Sequence, residues 1–493
     1  MSEWWRDAVI YEVYVRSFTD SDGDGVGDLA GIRERLPYLR ELGVDGVWLT
    51  PFFPSPGADH GYDVSDYTDV DPQFGTLADF DALVGTAHEL GLRVMIDLVP
   101  NHTSIEHPWF REHPEYYVWA DEPNNWLSVF GGPAWTLDEQ SGRYYLHLFA
   151  PEQPDLDWHN PDVQAEFDAI FKFWLDRGAD GIRIDVAHGL FKDPELRDEA
   201  EPAPGAELHS FDRRAAIDQP ELHPLYHRLR KLVDSYPGDR FLVGEVFFRD
   251  PKRVARYVRS DELHLVFNFT LLFTDWESES IRKAVDRTLG SMGEVGASAS
   301  WVLESHDVTR LPTRYGGGPG GVRRARAALL LQLALPGAAF LYEGQELGLE
   351  EAALPDNLRQ DPIFFRTGGE RLGRDGCRVP IPWNADSPGF GFTSGEPWLP
   401  MPSGWGARSV QTQRPDPRSM LGLTRAALAS RPHGRFAWVP SPPGTLVFER
   451  DDVVCAVNVD GDPLPLPEGD LLLASEPLTD SIPAGAAAWI KIC

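Results

Sequence analysis

The stretch "GIRIDVAH" (181–188) alternates Ile182, Ile184 and Val186 with Arg183 and Asp185. A period of two is that of a β-strand, here with one apolar face and one face bearing a full positive and a full negative charge. In a closed parallel barrel this alternation sends Ile182, Ile184 and Val186 outward under the helices. Arg183 and Asp185 then point toward the axis, roughly 6.6 Å apart along the strand at a rise of about 3.3 Å per residue. Arg183 can hold Asp185 ionised. A structural ion pair at a barrel end is the alternative that this stretch alone leaves open.

Working outward, seven further β-rich runs recur: 8–18, 46–53, 93–102, 241–247, 265–270, 300–308 and 338–346. Amphipathic stretches between them, such as 28–43, 76–91 and 161–178, each end in glycine, as helices commonly do. Eight β/α units predict an α/β fold, a (β/α)8 TIM barrel with reactive residues at the C-terminal strand ends. The barrel takes 1–102 and 161–433. Residues 103–160 are too many for a plain βα loop and predict a subdomain inserted after strand 3. Short alternating runs from 434 to 493 predict a small C-terminal antiparallel β domain.

Acidic residues outnumber basic ones by 77 to 45, a formal charge of −32. Such a chain repels nucleic acid and anionic membranes, which leaves a neutral or cationic ligand. The N-terminus lacks the pattern of a secretory signal, the longest apolar run is broken by Gln332, Pro336 and Gly337, and only three cysteines occur. These features predict a soluble, cytoplasmic protein.

"FLVGEVF" (241–247) brings Glu245 to the level of Asp185, flanked by Val243, Val246 and Phe247. A carboxyl in apolar surroundings beside another carboxylate resists ionisation, as a general acid requires. "SHDV" adds His306 and Asp307 at another strand end, and strand 3 adds Asp97, Asn101 and His102. So many charges at one mouth are costly for a fold to bury without use. Paired carboxylates without a Ser or Cys nucleophile context point to glycosidic bond cleavage, and a retaining reaction requires them roughly 5–5.5 Å apart.

In "DLVPNH" (97–102), "GIRIDVAH" (181–188), "GEVF" (244–247) and "ESHDVTR" (304–310), in this order, the sequence resembles the α-amylase family of glycoside hydrolases, in its α-glucosidase and oligo-1,6-glucosidase branch, over nearly the whole chain. The resemblance implies Asp185 as nucleophile, Glu245 as general acid/base and Asp307 as a third carboxylate binding sugar hydroxyls. It implies His102, Arg183 and His306 as substrate-binding residues. "DHGYDVSDY" (59–67) and "GCRVPIPW" (376–383) resemble the exo-acting branch, which implies that Asp59 and Tyr62 bind the terminal glucose and that Arg378 pairs with Asp59. In "QPDLDW" (153–158) Asp157 stands where the branch usually has Asn, and Ser305 likewise replaces Asn.

The acidic stretch "DSDGDGVGD" (20–28) places Asp20, Asp22, Asp24 and Asp28 among glycine turns, an oxygen-rich set suited to a hard cation. By resemblance the ion is Ca2+, structural, held by these side chains and the carbonyl of Val26. A solvated acidic turn is the alternative. The expected activity is that of a retaining, exo-acting α-glucosidase on short α-glucosides, α-1,4 favoured over α-1,6, with a transglucosidase or sucrose isomerase as the second reading. A non-catalytic sugar-binding or transporter subunit is the remote one. The partner is a small neutral oligosaccharide or glucoside, and oligomeric state is not legible.

Overall fold

The computed structural model describes residues 3–200 and 215–492. Eight parallel strands form the central sheet: β1 (Val9–Val13), β2 (Gly46–Leu49), β3 (Arg93–Leu98), β4 (Gly181–Ile184), β5 (Phe241–Gly244), β6 (Leu265–Val266), β7 (Ser300–Val302) and β8 (Ala338–Tyr342). Their order is β7-β8-β1-β2-β3-β4-β5-β6, each pairing with the next in parallel register. The sheet is a barrel closed except for a seam between β6 and β7, where the Ser300 hydroxyl donates to the Val266 carbonyl.

Alternation sorts the side chains as a barrel requires. Ile10, Trp48, Met95, Phe241, Val243, Leu265, Val302 and Phe340 pack together inside, whereas Val9, Tyr11, Val47, Ile96, Ile182 and Ile184 join the larger core under the helices. Two residues further along the inward face, β1, β3 and β4 carry Glu12, Asp97 and Arg183, all buried. Charge therefore begins one layer above the apolar plug. Gly181 is required lower down: a Cβ there would stand 2.2 Å from the ring of Phe241.

The strands end earlier than their sequence patterns. The run 8–18 gives β1 and then a helical turn, Val15–Phe18, and the run 300–308 gives three strand residues. The run 181–188 leaves the strand after Ile184 and turns; Val186 takes φ +45°, a conformation that a β-branched residue adopts only under strain.

Helices cover the outside, several with caps legible in the sequence. Asp28 caps Leu29–Leu42 by accepting the Gly31 N–H, and Thr76 and Asp79 form a reciprocal capping box on Leu77–Glu89. After β3 the chain leaves the barrel to form a three-stranded antiparallel sheet (Trp119–Ala120, Trp135–Asp138, Arg143–Leu146) and returns at the helix Pro161–Asp176. "GGGPGG" (316–321) reads as a flexible loop beside the mouth but instead starts the helix Gly318–Ala334. That helix carries the C-terminal five-stranded antiparallel sheet, with the Trp489 indole donating to the Leu330 carbonyl at 3.2 Å. Among the described residues no helix is long and apolar enough to cross a membrane.

Gly181→Ala is expected to destabilise the protein by about 1–3 kcal/mol through overpacking, read as a lower denaturant midpoint. Adding Phe241→Leu, which removes the clashing ring, should recover part of the loss.

Candidate active site

The C-terminal strand ends surround a cavity of about 530 Å³. Its floor is a charged cluster built on Arg183. One guanidinium nitrogen of Arg183 lies 2.8 Å from Asp97 and 2.5 Å from Asp185, and the other lies 2.9 Å from Glu245. The parallel pairing continues just past the strands: the Asp185 N–H donates to Leu98 and the Glu245 N–H to Ile184, each at 2.9 Å. This holds the two carboxyls at one height.

The strained turn at Val186 has a direct product. It aims the Val186 N–H at Glu245 Oε2, at 3.0 Å. Val186 thus lines the cavity instead of facing the helices. Nor is Glu245 in purely apolar surroundings, since it accepts from both Arg183 and this backbone N–H.

Three carboxyls share one guanidinium. Burial pushes Asp97 up to about 7 against the pull of Arg183. Burial, with Glu245 and Asp97 nearby, raises Asp185 well above the usual carboxylate range, again opposed by Arg183. Asp97 and Asp185 are thus pushed toward their protonated forms by burial and drawn back by the same guanidinium, and the titration of two such coupled groups belongs to the pair.

Asp307 is in a different environment. Burial would raise it, but His306, Arg374 at 3.2 Å and Arg378 at 2.9 Å bring it well below the usual range and keep it ionised. Its neighbour His306 is held neutral by burial, its pKa down to about 3. The His306 ring stacks between Tyr62 and Tyr14. Its Nδ1 bonds Glu12, and its Nε2 lies 2.8 Å from the Tyr62 hydroxyl and 3.2 Å from Asp307. Tyr62 in turn donates to Asp97 at 3.1 Å, so the two halves of the site form one network.

The residue paired with Asp59 is Arg374, at 2.6 Å, and not Arg378. Arg374 also pairs with Asp361 at 2.7 Å. Arg378 is fully buried behind Asp307, donating from its Nε to the His306 carbonyl at 2.8 Å. The motif "GRDGCRVPIPW" holds both arginines four residues apart, and the turn Asp375–Cys377 between them turns only the first toward Asp59. Burial raises Asp59 to about 6 despite Arg374.

His102 lines the same cavity, with its Nε2 3.0 Å from the Gln153 amide, which also donates to Asp59 at 3.2 Å. Gln153, Asp361 and Glu12 are thus site residues that the sequence reading did not single out. The signal for Gln153 was present as the first letter of "QPDLDW". Phe149 lines the cavity against His102, whereas Trp126 is packed away from it. Asn101 is fully buried between Asp155 and Lys192 and cannot serve as a glycosylation site.

On the acidic loop, carboxylate oxygens of Asp20, Asp22 and Asp28 all lie within 4.8 Å of one another. Asp24 stands outside this group, with its Oδ1 taken by the Val26 N–H at 2.8 Å. Three convergent carboxylates fit a hard cation. The four-carboxylate arrangement expected from sequence is present only in part.

Comparison with known proteins gives a consistent result. A probable alpha-glucosidase of Rhizobium meliloti (strain 1021) is 43% identical over 460 residues, covering 87% of this chain and 82% of its own. The oligo-1,6-glucosidase of Parageobacillus thermoglucosidasius is 37% identical over 466 residues, covering 85% and 82%. Among solved structures, the alpha-glucosyl transfer enzyme XgtA superposes with a TM-score of 0.90 at 41% identity over all of both chains. The trehalulose synthase MutB from Pseudomonas mesoacidophila MX-45 gives 0.90 at 30%, over 99% of each. The family described as alpha amylase, catalytic domain, matches residues 12–436, a span that runs from Glu12 on β1 through every residue of the charged cavity, and the chain belongs to the α-amylase family of glycoside hydrolases.

Proposed function

We propose that the protein is a retaining, exo-acting α-glucosidase that releases glucose from short α-glucosides. The observation that carries this reading is the placement of Asp185 and Glu245 on the two arms of one buried guanidinium. Two carboxyls gripped by one guanidinium at neighbouring strand ends suit direct attack on the sugar by one and proton transfer by the other. Asp185 attacks the anomeric carbon while Glu245 gives its proton to the leaving oxygen. Glu245 then takes a proton from water, which releases glucose with retention. Arg183 draws Asp185 toward its anionic form against the effect of burial and holds its aim. Asp307, held ionised by Arg374 and Arg378, accepts hydrogen bonds from sugar hydroxyls and stabilises the cationic transition state. Asp59, Tyr62, His102 and His306 line the terminal glucose, and Gln153 and Arg374 orient Asp59.

The α-1,4 linkage is favoured over α-1,6, and the glucosidase activity itself is supported by the 43% identity to the probable alpha-glucosidase. A second reading, transfer of the glucosyl group to another hydroxyl, is supported by the 41% identity to XgtA and by an apolar wall of Phe247, Phe269 and Phe273 beside Glu245. Two buried unbridged thiols, Cys377 and Cys455, suit a reducing compartment such as the cytoplasm. Asp20, Asp22 and Asp28 would hold Ca2+, which would neutralise their mutual repulsion and fix the loop that leads into the helix Leu29–Leu42.

Glucose release from maltose, isomaltose, sucrose and trehalose, with products resolved over time, tests the reading. Asp185→Asn should lower kcat by at least about 10³-fold on every substrate turned over. Wild-type levels of turnover in this variant would overturn the assignment, and new oligosaccharides in place of glucose would favour transfer.

The pH dependence follows from burial. Asp59, with a pKa of about 6, and Asp185 must both be ionised. Protonation is favoured as pH falls, so the acid limb of the kcat/KM profile should lie at or above pH 6. A limb near 4, where free carboxylates titrate, would contradict it.

Chelation should lower the thermal midpoint and added Ca2+ restore it, with about 2.7 kcal/mol of stabilisation at a hundredfold excess over Kd. Asp22→Ala, at an exposed position, should no longer respond. A midpoint indifferent to both would show that the loop needs no ion.

A further inference from the structure

Away from the cavity, the helix Leu222–Asp234 carries His223 and His227 one turn apart, which places both imidazoles on one face. The chain leading into β6 brings Asp261 and Glu262 against that face. Glu262 is fully buried. His223 Nδ1 makes an ordinary hydrogen bond to Glu262 Oε2 at 2.8 Å. His227 does not: its Nε2 stands 3.3 Å from Glu262 Oε1 and 3.5 Å from Asp261 Oδ2. This nitrogen is buried and has no hydrogen-bond partner among the described residues.

Such separations are long for hydrogen bonds but suit the edges of a ligand tetrahedron. With metal–ligand distances of about 2.0–2.2 Å, two ligand atoms at the tetrahedral angle stand roughly 3.4 Å apart. The three donor atoms lie within 4.8 Å of one another. We propose that His227, Asp261 and Glu262 form a binding site for a divalent ion of the zinc class, with His223 as the outer partner that orients the Glu262 carboxylate.

The donor chemistry supports this choice of ion. One imidazole and two carboxylates make three ligands with the fourth position left to water, and imidazole favours zinc-like ions over calcium. The acidic loop at Asp20, Asp22 and Asp28 offers only oxygen, so the two sites differ in the ion they select. His227 and Asp261 keep 40% and 67% of their side-chain surface exposed, which provides an entry path. The competing cation is Arg259, 3.5 Å from Glu262 Oε1 and 48% exposed, so it can move into solvent when the ion enters. Arg230 donates to the Glu262 carbonyl, and its Nε pairs with Asp234, which leaves the carboxylate free of it. A bound ion would tie this helix to the chain before β6. The same helix carries Tyr226, whose hydroxyl donates to the carbonyl of Ala187, two residues past Asp185.

The test is Zn2+ titration by calorimetry of the metal-free full chain, with Co2+ absorption as a probe of geometry. Wild type and Asp22→Ala should each bind one Zn2+ at this site with micromolar Kd, show a raised thermal midpoint and give a tetrahedral Co2+ band. His227→Ala should lose all three while retaining its circular dichroism and glucosidase activity. Asp261→Asn, at a position with 67% of its side chain exposed and with circular dichroism expected to match wild type, should weaken Kd by at least about tenfold. Equal Zn2+ binding by wild type and His227→Ala, or no saturable binding up to millimolar Zn2+, would overturn the proposal.

Discussion

Arg183 is the interaction on which the rest of the site depends. A guanidinium with 2% of its side chain exposed is expensive to bury, and here it is compensated by three carboxylates at the ends of three neighbouring strands. That compensation positions them as well. Each carboxylate has several rotamers available in isolation, and a planar fork with fixed donor directions selects one for each. The Arg183 guanidinium also sits over the rings of Trp48 and Tyr62, within 6 Å of both centroids. It therefore joins the apolar plug of the barrel to the charged layer above it.

The two sides of the cavity use arginine in opposite balance. On the Asp185 side one arginine serves three acids, and burial raises Asp97 and Asp185 against its pull. On the Asp307 side two arginines, Arg374 and Arg378, converge on one acid, which stays ionised. One side can deliver a proton and the other can receive positive charge developing on a sugar. The asymmetry arises from the loop after β8, which supplies both arginines, so the barrel strands alone would not create it.

Much of this was legible in the sequence, and the limits have physical causes. Strand alternation identified Arg183, Asp185 and Glu245 because the period of two fixes which face a residue takes. It could not show where a strand stops, since Val186 continues the apolar pattern while its backbone turns. The partner of Asp59 was misassigned because Arg374 and Arg378 lie in irregular chain, where no period relates position to direction. Gln153 and Glu12 escaped notice for another reason: each acts through hydrogen bonds to residues far away in sequence, Gln153 to His102 and Asp59 and Glu12 to His306, and neither residue type announces such a role. On the acidic loop the carboxylates of Asp20, Asp22 and Asp28 converge while Asp24 accepts the Val26 N–H, a difference in side-chain direction that composition does not reveal.

The closure of the barrel has a consequence for how the protein is made. Strand β1 pairs with β2 on one side and with β8 on the other, and the Tyr14 N–H beyond its end donates to Glu343, 329 residues later. At roughly 5–20 residues per second of synthesis, that second neighbour is on the order of 15–65 s away when β1 emerges. For that interval the strand bearing Glu12 presents an open, apolar edge of the kind that invites pairing with other chains. The interaction between Glu12 and His306 therefore forms late, and a nascent fragment that ends before β7 holds the floor built on Arg183 but lacks His306 and Asp307 on the other side of the cavity.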